Sequence, residues 1–357
     1  MRRRVAYALA LFLLIGATLL VFRVELVTFF LARLARETLA HDAIADLPAG
    51  LHVLFCGAGG PMPDPARSGP CVAIIAGDRL LIIDAGTNGV RNLLQLGFAP
   101  GRIESVLLTH FHSDHIDGLG ELAMQRWVGG ANTTPLPVQG PPGVDQIVAG
   151  FNTAYAADAR YRNAHHGPSV APLSGAGMTA RTFALPKDDQ TTVVIDDRGL
   201  KVEAFAVDHM PVEPAVGYRV SFAGRSLVVS GDTALLPAMP GLAKGADLLI
   251  HEALAPNLVA RLGAAAKATG QTRIARITSD IVDYHASPRE AAEIAAAAGV
   301  RALVFHHIVP PLRLPGAEAA FLAGVDAVWS GTTVVARDGT LISLPANDTR
   351  VEITERF

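Results

Sequence analysis

Leu107-Leu108-Thr109-His110-Phe111-His112-Ser113-Asp114-His115-Ile116-Asp117-Gly118-Leu119 is the stretch on which the reading of this chain turns. Three imidazoles and a carboxylate fall within six residues, directly after a short aliphatic run. A strand that enters a tight loop aims His110 and His112 at one point, because alternate side chains share a face. Asp114 and His115 follow on the turn and serve a second point nearby. Neutral imidazoles and carboxylates are ligands for Zn²⁺, and a catalytic zinc site keeps one position open for water. A merely polar loop does not require this spacing, and candidate partners lie downstream.

Outward from that stretch, the same residue types recur after other apolar runs. Asp84 sits in Leu81-Ile82-Ile83-Asp84-Ala85-Gly86, His209 in Val207-Asp208-His209-Met210-Pro211, and Asp232 in Ser230-Gly231-Asp232-Thr233. Ala302-Leu303-Val304-Phe305-His306-His307 ends in two histidines. Consecutive strand residues point to opposite faces, so one of the two reaches a shared centre.

This series resembles the metallo-β-lactamase superfamily over roughly residues 50–345. The resemblance implies an α/β chain folded as an αββα sandwich. It implies that His110, His112 and His209 hold one metal, that Asp114, His115 and His307 hold a second, and that Asp232 bridges them. Asp84 then supports the loop from behind, and the ligand is second in the His306–His307 pair. The implied cofactor is Zn²⁺, two ions per chain. A donor set without thiolate also suits Mn²⁺ or Fe.

Within the superfamily, Val216-Gly217-Tyr218-Arg219, His251-Glu252-Ala253 and Tyr284-His285-Ala286-Ser287 resemble the ribonuclease Z group and its arylsulfatase relatives. A Gly-His-Thr-type segment, usual in glyoxalase II and lactonase members, is missing at His209. Ser287, Pro288 and Glu290 read as N-cap, first helical residue and capping box of a helix that Gly299 ends. His285 therefore stands on a loop two residues ahead of a cap. The resemblance makes it the proton donor, with Asp114 orienting the attacking water. Glu252 is expected to orient its neighbours. Arg162, His165 and His166 lie in an insertion and are candidates for the substrate entrance, with a solvated loop as the alternative. Cys56-Gly57-Ala58-Gly59-Gly60-Pro61 lacks the dinucleotide fingerprint, since prolines stand where a helix should begin.

Half of the 357 residues are apolar, enough for a large core, and the motifs span nearly all of the chain. Residues 1–49 read as an N-terminal anchor and linker, and residues 50–357 as the hydrolase domain. Arg2, Arg3 and Arg4 precede an uncharged run over residues 5–22, which as a helix spans about 27 Å, near the thickness of a bilayer core. The run predicts a transmembrane anchor, with a cleaved signal as the alternative, and residues 24–39 along the membrane surface. Either places the domain outside the cytoplasm, periplasmic or extracellular. There Cys56 and Cys71 are permitted a disulfide, which sequence leaves open.

Strand pairs are expected at 72–76 with 80–83, 192–195 with 200–206, 218–222 with 226–230, and 333–336 with 341–344. Helices are expected over residues 118–128, 143–157 and 288–298. A net charge of −3 does not favour nucleic acid, because such affinity comes from Lys and Arg neutralising phosphates. Only 22 residues separate His209 from Asp232, which leaves no room there for an RNA-gripping arm. The expected activity is hydrolysis of a small anionic ester, a phosphodiester or aryl sulfate. The alternatives are a ribonuclease Z-like transfer-RNA 3′-processing enzyme, a lactonase or thioesterase, and a non-catalytic anion binder.

Overall fold

The computed structural model describes residues 2–187 and 189–357. Two compact units divide them, Met1–Ala43 and Ile44–Phe357. Ala43 and Ile44 are already buried, so ordered packing begins before residue 50.

The first unit is two helices, Arg2–Val21 and Arg23–Ala40. The chain bends by 67° between Leu9–Val21 and Arg23–Glu37. Where one spanning helix is expected, the structure has a bent pair. The bend falls at Phe22, where the uncharged run ends, and among the described residues no single helix is long and apolar enough to cross a membrane, although the bent pair is so by length and composition. Leu11, Phe12, Leu13, Leu14 and Phe29 stand exposed on it. The Arg2 and Arg3 side chains, expected at the cytoplasmic end, lie outside the described residues.

In the second unit the strands are β1 (Gly50–Gly57), β2 (Cys71–Ala76), β3 (Arg79–Ile83), β4 (Ile103–Leu107), β5 (Leu136–Gly140), β6 (Met178–Thr182), β7 (Thr191–Asp197) and β8 (Leu200–Ala206). They continue as β9 (Val216–Phe222), β10 (Arg225–Val229), β11 (Leu248–Leu254), β12 (Ala302–Val309), β13 (Thr332–Val335), β14 (Thr340–Pro345) and β15 (Glu352–Glu355). An eight-stranded sheet runs β15-β14-β1-β2-β3-β4-β5-β6, and a seven-stranded sheet runs β13-β12-β11-β10-β9-β8-β7. Alternate residues of both sheets interdigitate in one core: Leu51, Val53 and Phe55 face Val202, Tyr218, Leu227 and Ile250. That period of two is the strand pattern with one face turned inward.

Helices cover the outer faces. Ala291, Ala292 and Ala295 of the helix Pro288–Ala298 pack against Val228, Leu249, Leu303 and Phe305 of the seven-stranded sheet. The architecture is the αββα metallo-β-lactamase sandwich. Two hairpins close on Arg198-Gly199 and Ala223-Gly224, where both central residues have positive φ. That geometry matches the twist of antiparallel strands.

Two expectations need correction. β13 and β14 form no hairpin, since they belong to different sheets. The chain crosses between the layers at Ala336–Gly339, where the Asp338 carboxylate accepts from the Ala58 and Ser68 amides and from Asn92 Nδ2. Secondly, the helix expected to stop at residue 157 continues as Val144–His166. No Gly or Pro falls between residue 157 and Gly167, so nothing stops its propagation there.

Cys56 and Cys71 are joined, with Cα atoms 5.1 Å apart. Cys56 is the extra residue of a bulge between β1 and β2, which brings it beside Cys71.

Candidate metal centre

Each ligand candidate stands where a strand ends, and local chemistry fixes its aim. After β4 the chain passes through Thr109 to His110 and His112 and then into the short helix Ser113–Ile116. Asp84, just past β3 with φ 58°, braces this turn. Its Oδ1 accepts from the Thr109 amide and its Oδ2 from the Thr109 hydroxyl, both at 2.8 Å. His115 Nδ1 lies 2.8 Å from the same Oδ2, which turns His115 Nε2 the other way. Thr109 Oγ1 lies 3.1 Å from His110 Nδ1 and orients that ring too. Thr109 was not foreseen as functional, although it sits inside the decisive stretch.

The second sheet supplies the opposite wall. His209 Nδ1 donates to the Tyr284 carbonyl at 2.9 Å, leaving Nε2 to face inward. Asp232 follows β10 through Gly231, at φ 63°. A β-carbon there would come within 2.5 Å of the Val216 carbonyl oxygen, so the turn requires glycine.

His307 owes its position to a bulge. β11 and β12 pair in parallel through Glu252 with His306, then resume at Ala253 with Ile308. His307 is the unpaired extra residue, at φ 49°. Its ring turns to the centre and stacks on His115 at 5.1 Å. His306 points away, against Phe55, and burial with His307 beside it holds its pKa down to about 3.

Two groups result. Ligand atoms of His110, His112, His209 and Asp232 lie within 4.8 Å of one another, as do those of Asp114, His115 and His307. Asp232 Oδ2 is 3.3 Å from His115 Nε2, 3.2 Å from His307 Nε2, and 3.9 Å from both His110 Nε2 and His209 Nε2. It therefore stands between the groups.

The donor set fits divalent cations. His115 Nε2 and His209 Nε2 are buried without a hydrogen-bond partner, and buried polar atoms are normally partnered. Burial lowers the pKa of His110, His112 and His209, favouring the neutral form that binds metal. Burial alone would raise Asp232, but His307 and His115 hold it well below the usual carboxylate range. For His115 burial opposes charge, yet Asp232 and Asp84 push its pKa well up. The carboxylates thus call for positive charge at the place where a cation would sit.

His285 borders the second group, with a ring nitrogen within 4.8 Å of ligand atoms on Asp232 and His307. Its Nδ1 lies 3.2 Å from Glu252 Oε2. Burial disfavours its charge, but Glu252 and then Asp232 outweigh this and raise its pKa to about 9. Glu252 Oε1 accepts from the amides of Thr233 and Ala286, tying the Asp232 turn to the His285 loop. His251 faces elsewhere, fully buried, and its Nδ1 donates to the Glu252 carbonyl.

Arg162, His165 and His166 are not in an open loop. They lie in the last turns of the helix Val144–His166, and Arg162 pairs with Asp158 at 2.7 Å. None of the three is in the clusters around Asp232.

The Beta-lactamase superfamily domain matches residues 79–308, and this chain belongs to that superfamily, as a metal-dependent hydrolase. Over 291 residues the chain is 34% identical to Ribonuclease Z of Mycobacterium bovis (strain BCG / Pasteur 1173P2), covering 81% of this chain and 96% of the relative. It is 36% identical over 282 residues to Ribonuclease Z of Mycobacterium avium (strain 104), covering 78% and 90%. Human tRNase Z, short form, shares the fold at TM-score 0.58 and 22% identity, covering 82% of this chain and 99% of that one. The metallo-beta-lactamase fold protein YhfI from Bacillus subtilis does so at TM-score 0.57 and 19% identity, covering 82% and 98%.

These relatives overturn the expectation of a small anionic ester and no nucleic-acid partner, since those at 34% and 36% identity are both named Ribonuclease Z. None of the four is described as a sulfatase. Net charge and one missing arm say little about a local cationic surface. From Pro256 to Ser279 the chain carries four cations and no acid.

Proposed function

We propose that this protein is a ribonuclease Z-like endoribonuclease that cleaves a phosphodiester bond of RNA at a dinuclear zinc centre. The observation that carries the reading is 34% identity to a Ribonuclease Z across 96% of its length. His110, His112 and His209 would hold one ion and Asp114, His115 and His307 the other, with Asp232 between them. Bound there, the ions supply Lewis acidity and lower the pKa of a water. Zinc suits imidazole and carboxylate donors with an open position, and Mn²⁺ or Fe would also be accepted.

The chain's own groups do the rest. Asp114, half-buried on the open side, accepts a hydrogen bond from the attacking water and orients it. His285 carries its proton at neutral pH, because Glu252 holds its pKa near 9. It passes that proton to the leaving oxygen as the P–O bond breaks. Glu252 acts through His285 as a positioning residue. The test is incubation of the full chain, zinc-loaded, with a precursor transfer RNA bearing a 3′ trailer. One specific cut, abolished by chelation and restored by Zn²⁺, is expected. No cleavage of any RNA sinks the reading.

We also propose that the N-terminal unit attaches the enzyme to a membrane with its catalytic domain outside the cytoplasm. Exposed apolar side chains on both helices support this. So does the Cys56–Cys71 disulfide, a bond that persists in oxidising compartments. A reporter fused after Phe357 should be active outside the cytoplasm, and activity confined to the cytoplasm refutes it.

A further inference from the structure

A cleft of about 670 Å³ opens beside Asp114, walled by the loop from Gly60 to Pro65 and by Arg313. A second space of about 500 Å³ continues from it, because Met62, Pro63 and Arg313 line both. The far wall of the second space is the helix Pro256–Ala268, through Leu258, Arg261 and Leu262. Both ends of this helical insertion are tied to the metal centre. β11 leads into it from Glu252, and the chain returns at Tyr284 and His285, with the Leu254 amide donating to the Ala286 carbonyl at 2.9 Å.

Two properties of the groove point to a ligand. Its walls leave large apolar side chains open to water: Leu314 is 75% exposed, Leu262 39% and Met62 37%. Apolar exposure gathered in one place marks a binding surface rather than scatter. Its cations are of two kinds. Arg313 is anchored by donating to the Pro63 carbonyl, whereas Arg261 has no acidic partner among the described residues. The rest of the insertion adds Lys267, Arg273 and Arg276, of which only Arg276 is paired, with Asp280.

We propose that this groove is a nucleotide subsite that takes one unpaired nucleotide of the substrate beside the scissile phosphate. The base lies against Leu262 and Leu314, and Arg261 binds the adjoining phosphate. The proposal rests on the endoribonuclease reading and adds which part of the RNA is read, and by what. A space of this size is within the range of pockets that enclose single small molecules, about 300–1,000 Å³. A duplex does not enter it, and unpaired bases are the ones splayed out and packed on side chains. A guanidinium serves both a phosphate and a base face.

The test compares the wild-type chain with Arg261→Glu and Leu262→Glu on three probes. They are an RNA hairpin with a single-stranded extension, the same hairpin blunt-ended, and bis(p-nitrophenyl) phosphate. Arg261→Glu should lower kcat/KM on the extended RNA by about tenfold or more, the usual weight of a charged hydrogen bond. Hydrolysis of the small diester should stay unchanged, which also shows that the variants fold. Equal losses on all three probes, or none on the extended RNA, overturn the subsite while leaving the ribonuclease reading intact. If the wild type cuts no RNA, that reading fails instead. The groove is then judged by anisotropy of a labelled hexanucleotide, and absent or Arg261-independent binding overturns it.

Discussion

The two sheets contribute to the centre in different ways. From the eight-stranded sheet come Asp84, His110, His112, Asp114 and His115, all but the first within six consecutive residues. From the seven-stranded sheet come His209, Asp232, Glu252 and His307, one from near each of four strand ends scattered over about a hundred residues. The first half is set by one turn and a single brace, Asp84, that holds Thr109 and His115. The second half exists only once β8 to β12 have found their register. One half is local chemistry, the other a product of assembly.

The largest effect should come from Asp232→Ala, which removes the carboxylate standing between the two ligand clusters. Activity should fall to background, and elemental analysis should show much of the expected complement of about two ions gone. Full occupancy in that variant would mean that the two ligand clusters hold their ions independently of Asp232. Next, His285→Ala should keep the metals yet slow turnover by roughly 10²–10⁴-fold, the reach of general acid catalysis. The loss should shrink for nitrophenyl esters, whose leaving groups need no proton. The raised pKa gives the sign of the pH effect. His285 is charged below about 9 and loses its proton as pH rises through that value, so the alkaline fall in rate should be absent from the variant. Equal loss for every leaving group would make His285 structural. Smallest, Asp84→Asn should weaken metal binding by about 10–100-fold, as expected for a group that orients a ligand from behind. If Asp84→Asn costs as much as Asp232→Ala, the local half is no more self-sufficient than the assembled one.

The same contrast governs what could be read from sequence. The stretch from Leu107 to Leu119 announces itself through spacing alone, because its geometry is that of one strand end. His209, Asp232 and His307 look ordinary in isolation and were placed by resemblance, since no local rule says that three distant strand ends meet. The capping box at Ser287 and Glu290 was legible and is present, with both reciprocal bonds formed. The β13–β14 hairpin was misread because a turn signal at Asp338-Gly339 does not say which sheet each arm joins. There the decisive contacts come from Ala58, Ser68 and Asn92, more than two hundred residues away. The cationic insertion after β11 went unnoticed because its charges are diluted in the average of the whole chain.

The bulge in β12 makes the number of residues in a strand as important as their identity. His306 and His307 have the same side chain, yet one is packed in a core and the other faces the centre. What separates them is a single extra position in the ladder. Removing either histidine would let the pairing with β11 run on without interruption, the remaining one opposite Glu252 and Ile308 still opposite Ala253, and the extra position that turns out of the ladder would be gone. The strand would keep a histidine at its end and lose its donor. An alignment that allows a gap here can therefore match every residue type and still describe a protein with an incomplete site.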